Sequence, residues 1–224
     1  MNHPLDNPAW HALGSGNRHM GYQDAQCAYF DPSVSPFAAL ADPTAECLSH
    51  LYTTLPFKNL IILVSDQKLA VPDHWKNAMQ IPGHQMIYRG KEAATGTSRA
   101  VALTDVHIPQ MLALTGLTNP GPFLPGTIRF GYYEGIFERD QLVAMAGQRM
   151  NPTGFAEISA VCTHPDFLGR GLARELVLRQ VQRIQAAGET PFLHVRADNF
   201  RAISLYEAMG FETRTQIYFH GMHK

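Results

Sequence analysis

No run in the 224-residue chain approaches the ~18 consecutive apolar residues that a membrane-spanning helix requires, so no membrane partner is expected. Residues 1–10 lack both the basic segment and the unbroken apolar core of a secretory leader, and the expected location is the cytoplasm. Cysteine is scarce. Cys27, Cys47 and Cys162 are odd in number and show no Cys-x-x-Cys spacing, which argues against a disulfide framework and a structural zinc site. His220 and His223 near the tail have no companion carboxylate or cysteine cluster, and no metal is expected. Charge of one sign is also missing: 18 basic residues face 19 acidic ones with no Lys/Arg block, so nucleic acid is not suggested as a partner. Oligomeric state leaves no signature.

What is present suggests two units. Residues 1–36 are broken by turn signals such as Asp6-Asn7-Pro8 and Gly14-Ser15-Gly16-Asn17, with a short helix predicted over 9–13. Segments 37–40 and 45–52 read as helical, the second capped by Asp42-Pro43-Thr44, while 59–64 and 84–88 have strand composition. A small polar stretch over 91–98 marks the expected boundary between an N-terminal α+β unit, 1–97, and a larger unit, 98–224. In the second unit a strand over 99–103 precedes a helix from Thr104-Asp105 to Gly116 and a Pro- and Gly-rich loop over 117–127. Strand-like runs over 129–138, 141–148 and 155–163 then form a meander, the first turn carried by Arg139-Asp140.

Chemistry concentrates between Glu157 and Ala173. A β-branched strand ends at His164-Pro165, a turn follows, and a helix starts after Gly169-Arg170-Gly171. The first turn of a helix leaves N–H groups without intrahelical partners at the positive end of the dipole, a natural seat for phosphate. Glycines at 169 and 171 admit the backbone angles such a cradle needs, and Arg170 adds a charged donor. Leu172, Leu176, Val177, Val181 and Ile184 continue the helix as an apolar stripe up to Gly188. A strand over 192–195 should lie parallel to the one ending near Thr163. Asp198-Asn199 caps a further helix whose inner stripe is Ala202, Leu205, Tyr206 and Met209, and 213–219 makes a last strand.

From about Arg99 onward, roughly the last half of the chain, these motifs resemble the GNAT superfamily of acetyl-coenzyme A dependent N-acyltransferases. The family's phosphate loop falls on Leu168-Gly169-Arg170-Gly171-Leu172-Ala173, with Leu168 departing from the usual Gln or Arg, and residues 199–211 match its closing helix. The N-terminal ~95 residues lie outside the resemblance. It implies an α/β (α+β) protein with a mixed, mostly antiparallel sheet flanked by helices. It also implies that acetyl-CoA binds with its pyrophosphate on 168–173 and its pantetheine arm along Val161, Cys162 and Thr163, where the strands over 155–163 and 192–197 splay apart. The expected activity is transfer of an acetyl group to a primary amine of a small molecule or peptide, directly in a ternary complex.

The resemblance further implies Glu157 as general base, its pKa raised by partial burial. The plain alternative is a solvated carboxylate on a strand face, with a water chain taking the proton. Tyr206 is implied as the acid for the departing thiolate, against an ordinary core tyrosine. Asn199 either touches the coenzyme or simply caps its helix. Cys162 reads as a small buried strand residue rather than an acyl carrier, and Tyr132 or Tyr133 could face substrate. The contrasting reading of the chain is a noncatalytic acyl-CoA-binding or sensing module.

Overall fold

The apolar stripe at Leu172, Leu176, Val177, Val181 and Ile184 is buried along one face of a helix, Leu172–Ala186, and each side chain is at most 4% exposed. Burial of each contributes roughly 2 kcal/mol. The computed structural model describes residues 3–91 and 98–224. In chain order, α1 (Pro8–Leu13), β1 (Gly21–Gln23), β2 (Cys27–Phe30), β3 (Ala38–Leu40), α2 (Ala45–Thr54), β4 (Ile61–Ser65) and β5 (Lys76–Tyr88) come first. They are followed by β6 (Val101–Ala102), α3 (Ile108–Thr118), β7 (Glu134–Glu138), β8 (Gln141–Gln148) and β9 (Phe155–Thr163). The chain ends with α4 (Leu172–Ala186), β10 (Thr190–Arg196), α5 (Phe200–Glu207) and β11 (Phe211–His223).

Eight strands make one sheet in the order β4-β11-β5-β10-β9-β8-β7-β6, and β1, β2 and β3 form a small second sheet. Every neighbour pair in the large sheet is antiparallel except β9 and β10. This is the α+β, mostly antiparallel class that the sequence implies. Helices α4 and α5 cover one face through Ile158, Val177, Val181, Leu193, Tyr206 and Phe211. The other face is covered by α1, α3 and the small sheet, in a core that includes Phe30, Phe37, Met111, Tyr133, Met145 and Phe192.

The meander, the parallel strand after α4 and the capped α2 form as read; Thr44 Oγ1 accepts the Cys47 N–H at 3.2 Å. Arg139 and Asp140 take φ of 47° and 66°, the left-handed pair of a tight hairpin turn. Other segments differ from expectation. Residues 38–40 are strand β3 rather than helix, because Ala38 and Ala39 pack fully buried between layers where small side chains fit. Helix α3 runs past Gly116 to Thr118 and ends on Asn119, whose φ of 47° gives the left-handed cap. Residues Thr127–Phe130 form a 3-10 turn, so the first meander strand begins only at Glu134. Strand β5 starts at Lys76, well before the expected 84.

The predicted boundary falls largely on residues 92–97, outside the described residues. On either side of it the strands share one sheet: β5, which precedes it, lies between β10 and β11, which follow it. The small sheet is tied in as well, through the Ile62 N–H donated to Pro36 O at 2.8 Å.

Candidate active site

Strand β9 carries two irregularities that shape the site. The first is a bulge. Met145 pairs with Cys162 and Gly147 with Ser159, so Ala160 and Val161 together oppose Ala146. Ala160 takes φ of 53°, a left-handed value that a residue with a Cβ adopts at a cost of roughly 1–2 kcal/mol. Such a bulge bends the strand and re-aims the backbone that follows.

The second is the parting of β9 from β10. The parallel register runs Thr190↔Phe155, Pro191↔Ala156 and Phe192↔Glu157, and no pair follows, although β9 continues to Thr163 and β10 to Arg196. Among the described residues the β10-facing edge of β9 is therefore without a strand partner beyond Glu157, and backbone amides there must be satisfied by something else. Val161, Cys162 and Thr163 lie on this stretch. The Thr163 hydroxyl is buried without a hydrogen-bond partner among the described residues. Burial pushes the Cys162 thiol up to about 12, which leaves it protonated at neutral pH.

The unpaired edge leads into the glycine loop. Pro165–Phe167 form a 3-10 turn closed by the Leu168 N–H on Pro165 O, and Leu168 itself is 44% exposed. Gly169 and Gly171 have φ of 77° and 76°, and a Cβ at either would meet no atom within 4 Å. These positions need glycine for the angle, and the space above them is open. Gly171 is the N-cap of α4, and the first helical bond is the Glu175 N–H to Gly171 O at 3.0 Å. The N–H groups of Leu172, Ala173 and Arg174 precede it. The Arg170 guanidinium lies 4.7 Å above the Phe167 ring at the rim. An open, positively polarised cradle at the end of a strand edge lacking a partner fits a pyrophosphate joined to an amide-bearing arm.

Helix α5 closes the other side. Tyr206 is 8% exposed, and burial first, then the Cys162 sulfur, pushes its phenol well up, so it holds its proton at neutral pH. Asn199 Oδ1 accepts the Ala202 N–H at 3.2 Å, the geometry of a helix cap.

Glu157 differs from the expectation that burial would raise its pKa. It is fully buried, which by itself lifts a carboxyl. The Arg149 guanidinium, with Nε 2.9 Å from Oε2 and Nη2 2.5 Å from Oε1, and His194 Nδ1 at 2.7 Å outweigh that effect and hold it at about 2. It is not a solvated carboxylate either. Gln85 Oε1 accepts from Arg214, which directs Gln85 Nε2 to Leu5 O and to His194 Nε2 at 3.1 Å. Those roles place the His194 proton on Nδ1, toward Glu157. Neither Arg149 nor His194 was marked by any local pattern. Tyr133, on the same core face as Cys162, has a buried hydroxyl without a partner among the described residues, whereas Tyr132 is 58% exposed under the Arg183 guanidinium. Tyr132 and Arg183 belong to a separate cavity of about 850 Å3 at the far end of α4, also lined by Arg129, Glu134, Arg179 and Glu189. Among the described residues no helix is long and apolar enough to cross a membrane.

Residues 133–220 match the family model for FR47-like proteins. Mycothiol acetyltransferase from Saccharopolyspora erythraea is 30% identical over 82 residues, 36% of this chain and 27% of that protein. [Ribosomal protein bS18]-alanine N-acetyltransferase from Salmonella typhimurium is 39% identical over 61 residues, 27% of this chain and 41% of its own length. The chain thus spans well under half the length of these curated relatives. A crystal structure of a GNAT-family protein from Novosphingobium aromaticivorans is 36% identical, with a TM-score of 0.92 over 100% of this chain and 99% of that one. With that identity over the whole length of both chains, this chain belongs to the GNAT family of acetyltransferases.

Proposed function

We propose that the chain moves an acetyl group from acetyl-CoA to a primary amine of a small molecule or peptide, by direct transfer in a ternary complex. The observation that carries this reading is the end of the β9–β10 register at Glu157 and Phe192, which leaves a strand edge open and leading into the 169–171 cradle. The pantetheine amides pair with the backbone of Val161, Cys162 and Thr163, and the pyrophosphate rests on the N–H groups of 169–173. Leu168 contributes backbone only, and Asn199 acts as a cap for α5.

The amine nitrogen attacks the thioester carbonyl, a C–N bond forms, and the oxyanion is held by a backbone N–H beside the bulge at Val161 or Cys162. The C–S bond then breaks and the thiolate takes the proton of Tyr206, which is recovered from solvent. The amine proton leaves through water. Glu157, held near 2, is too weak a base for an ammonium of pKa about 10; its place is to anchor the sheet where the strands part. The N-acetylation of alanine named for the Salmonella relative belongs to the same reaction class.

The test is thiol release from acetyl-CoA across amines, amino acids, polyamines and peptide N-termini, with the acetylated product identified. Amine-dependent release with one product per thiol supports the reading. Tight coenzyme binding with no release under any acceptor would favour a sensing module instead.

A further inference from the structure

The N-terminal third holds a cluster of ligand-type side chains that acetyl transfer does not use. Asp24 and Cys27 stand three residues apart at the β1–β2 hairpin, and Cys47 and His50 stand three apart on α2. A search for Cys-x-x-Cys passes over this arrangement, because the pairs are Asp-x-x-Cys and Cys-x-x-His and only folding brings them together. A carboxylate oxygen of Asp24, Cys27 Sγ and a ring nitrogen of His50 all lie within 4.8 Å of one another. Asp24 Oδ2 is 2.7 Å from His50 Nε2 and 3.9 Å from Cys27 Sγ. With bonds of about 2.0–2.3 Å, neighbouring ligand atoms around a tetrahedral zinc ion lie roughly 3.3–3.8 Å apart, so small side-chain adjustments suffice.

The surroundings already orient the Asp24 carboxylate. Asp24 Oδ1 accepts the N–H groups of Gln26 and Cys27, each at 2.8 Å, and the Tyr22 hydroxyl donates to Oδ2 at 3.1 Å. The Thr54 hydroxyl is 3.3 Å from His50 Nε2. The two N–H bonds to Oδ1 fix the direction of the Asp24 carboxylate, whereas the Tyr22 and Thr54 hydroxyls sit on the ligating atoms themselves and give way when an ion binds. Cys27 is fully buried, whereas the side chains of Asp24 and His50 are 25% and 35% exposed, so the cluster has one closed and one open side. Cys47 lies in the same apolar cluster as Cys27 but is not among the three converging ligands.

We propose that Asp24, Cys27 and His50 bind a divalent cation of the zinc class, with solvent in the fourth position. Mixed O, S and N donors in this number suit a borderline-soft ion and not magnesium or calcium. On binding, the Cys27 thiol releases one proton, and the single imidazole proton of His50 resides on Nδ1. Carboxylate and thiolate then balance the two positive charges. The ion would tie the β1–β2 hairpin to α2.

The full-length chain, stripped with a chelator, is titrated with Zn2+ by calorimetry and with Co2+ by absorbance. One equivalent per chain, a thiolate-to-Co2+ charge-transfer band and a Tm raised by Zn2+ are expected. Cys27→Ser should abolish the band and weaken Zn2+ binding by about 100-fold or more. Cys47→Ser should keep both. Because Cys27 is buried, Asp24→Asn, which keeps the shape, provides a second variant and should also weaken Zn2+ binding at least about tenfold. Absence of saturable binding, a band that survives Cys27→Ser, or loss of binding in Cys47→Ser would each overturn the assignment.

Discussion

Phe192 on β10 and Glu157 on β9 are the last residues at which these parallel strands pair. The parting occurs where Glu157 is clamped from two sides. Arg149 grips both carboxylate oxygens from the turn before β9, and His194, two residues past Phe192, donates from β10. Glu157 therefore joins the two strands by side chain at the point where the backbone ladder stops. The open edge beyond it is the feature on which the proposed coenzyme binding depends.

Removing that clamp should cost stability. Glu157→Gln leaves the Arg149 charge buried without its partner, a loss of about 3–5 kcal/mol. The pH dependence follows from the lowered pKa. The folded value is about 2, against an unfolded value near 4.3, so the contribution is full above about pH 4.3 and is lost as pH falls toward 2. Urea midpoints should fall over that window in the wild type and change less in Glu157→Gln. With solvent as the base, the acid limb of the pH–rate profile persists in the variant; its disappearance would restore Glu157 as the base.

Tyr206→Phe keeps the ring that packs against Phe211 and removes only the hydroxyl. Its kcat should fall by roughly 10²–10⁴, with coenzyme affinity and Tm near the wild-type values. Steady-state thiol release with coenzyme titration separates the two effects, and unchanged turnover would make Tyr206 a core residue alone.

Cys162→Ala distinguishes direct transfer from a covalent route. The thiol is buried and protonated, so the variant should keep turnover of the same order of magnitude and lose about 1 kcal/mol of stability. An acyl-enzyme mechanism would lose nearly all turnover, and intact-mass spectra of the wild type with acetyl-CoA would show an added acetyl group.

Gly171→Ala tests the cradle. Nothing would clash with the new methyl group, so its cost comes from φ of 76°, roughly 1–2 kcal/mol. Where the loop relaxes to relieve it, the coenzyme Kd should rise about tenfold. A Kd equal to that of the wild type would place the pyrophosphate elsewhere.

How legible these features were depends on where their causes lie. The limits of β9, the glycine turn and the stripe of α4 could be read because each is determined by neighbours in sequence. Ala38-Ala39-Leu40 reads as helix because alanine and leucine favour helices in isolation, and only burial between two layers makes that stretch a strand. Residues 76–80 of β5 are exposed and mix polar with apolar side chains, with no alternation to reveal a strand that depends on β11. The resemblance singles out Glu157 by its spacing upstream of the phosphate turn, but its partners are 8 and 37 residues away in the chain. No local pattern could therefore have shown that its charge is already taken.

Amide hydrogen exchange with and without acetyl-CoA tests the central claim most directly. Bound coenzyme should protect the amides around Val161, Cys162 and Thr163 together with those of 169–174, while β5, paired on both sides, changes little. Protection confined to the cavity around Arg179 and Arg183, with 161–163 and 169–174 unaffected, would contradict it.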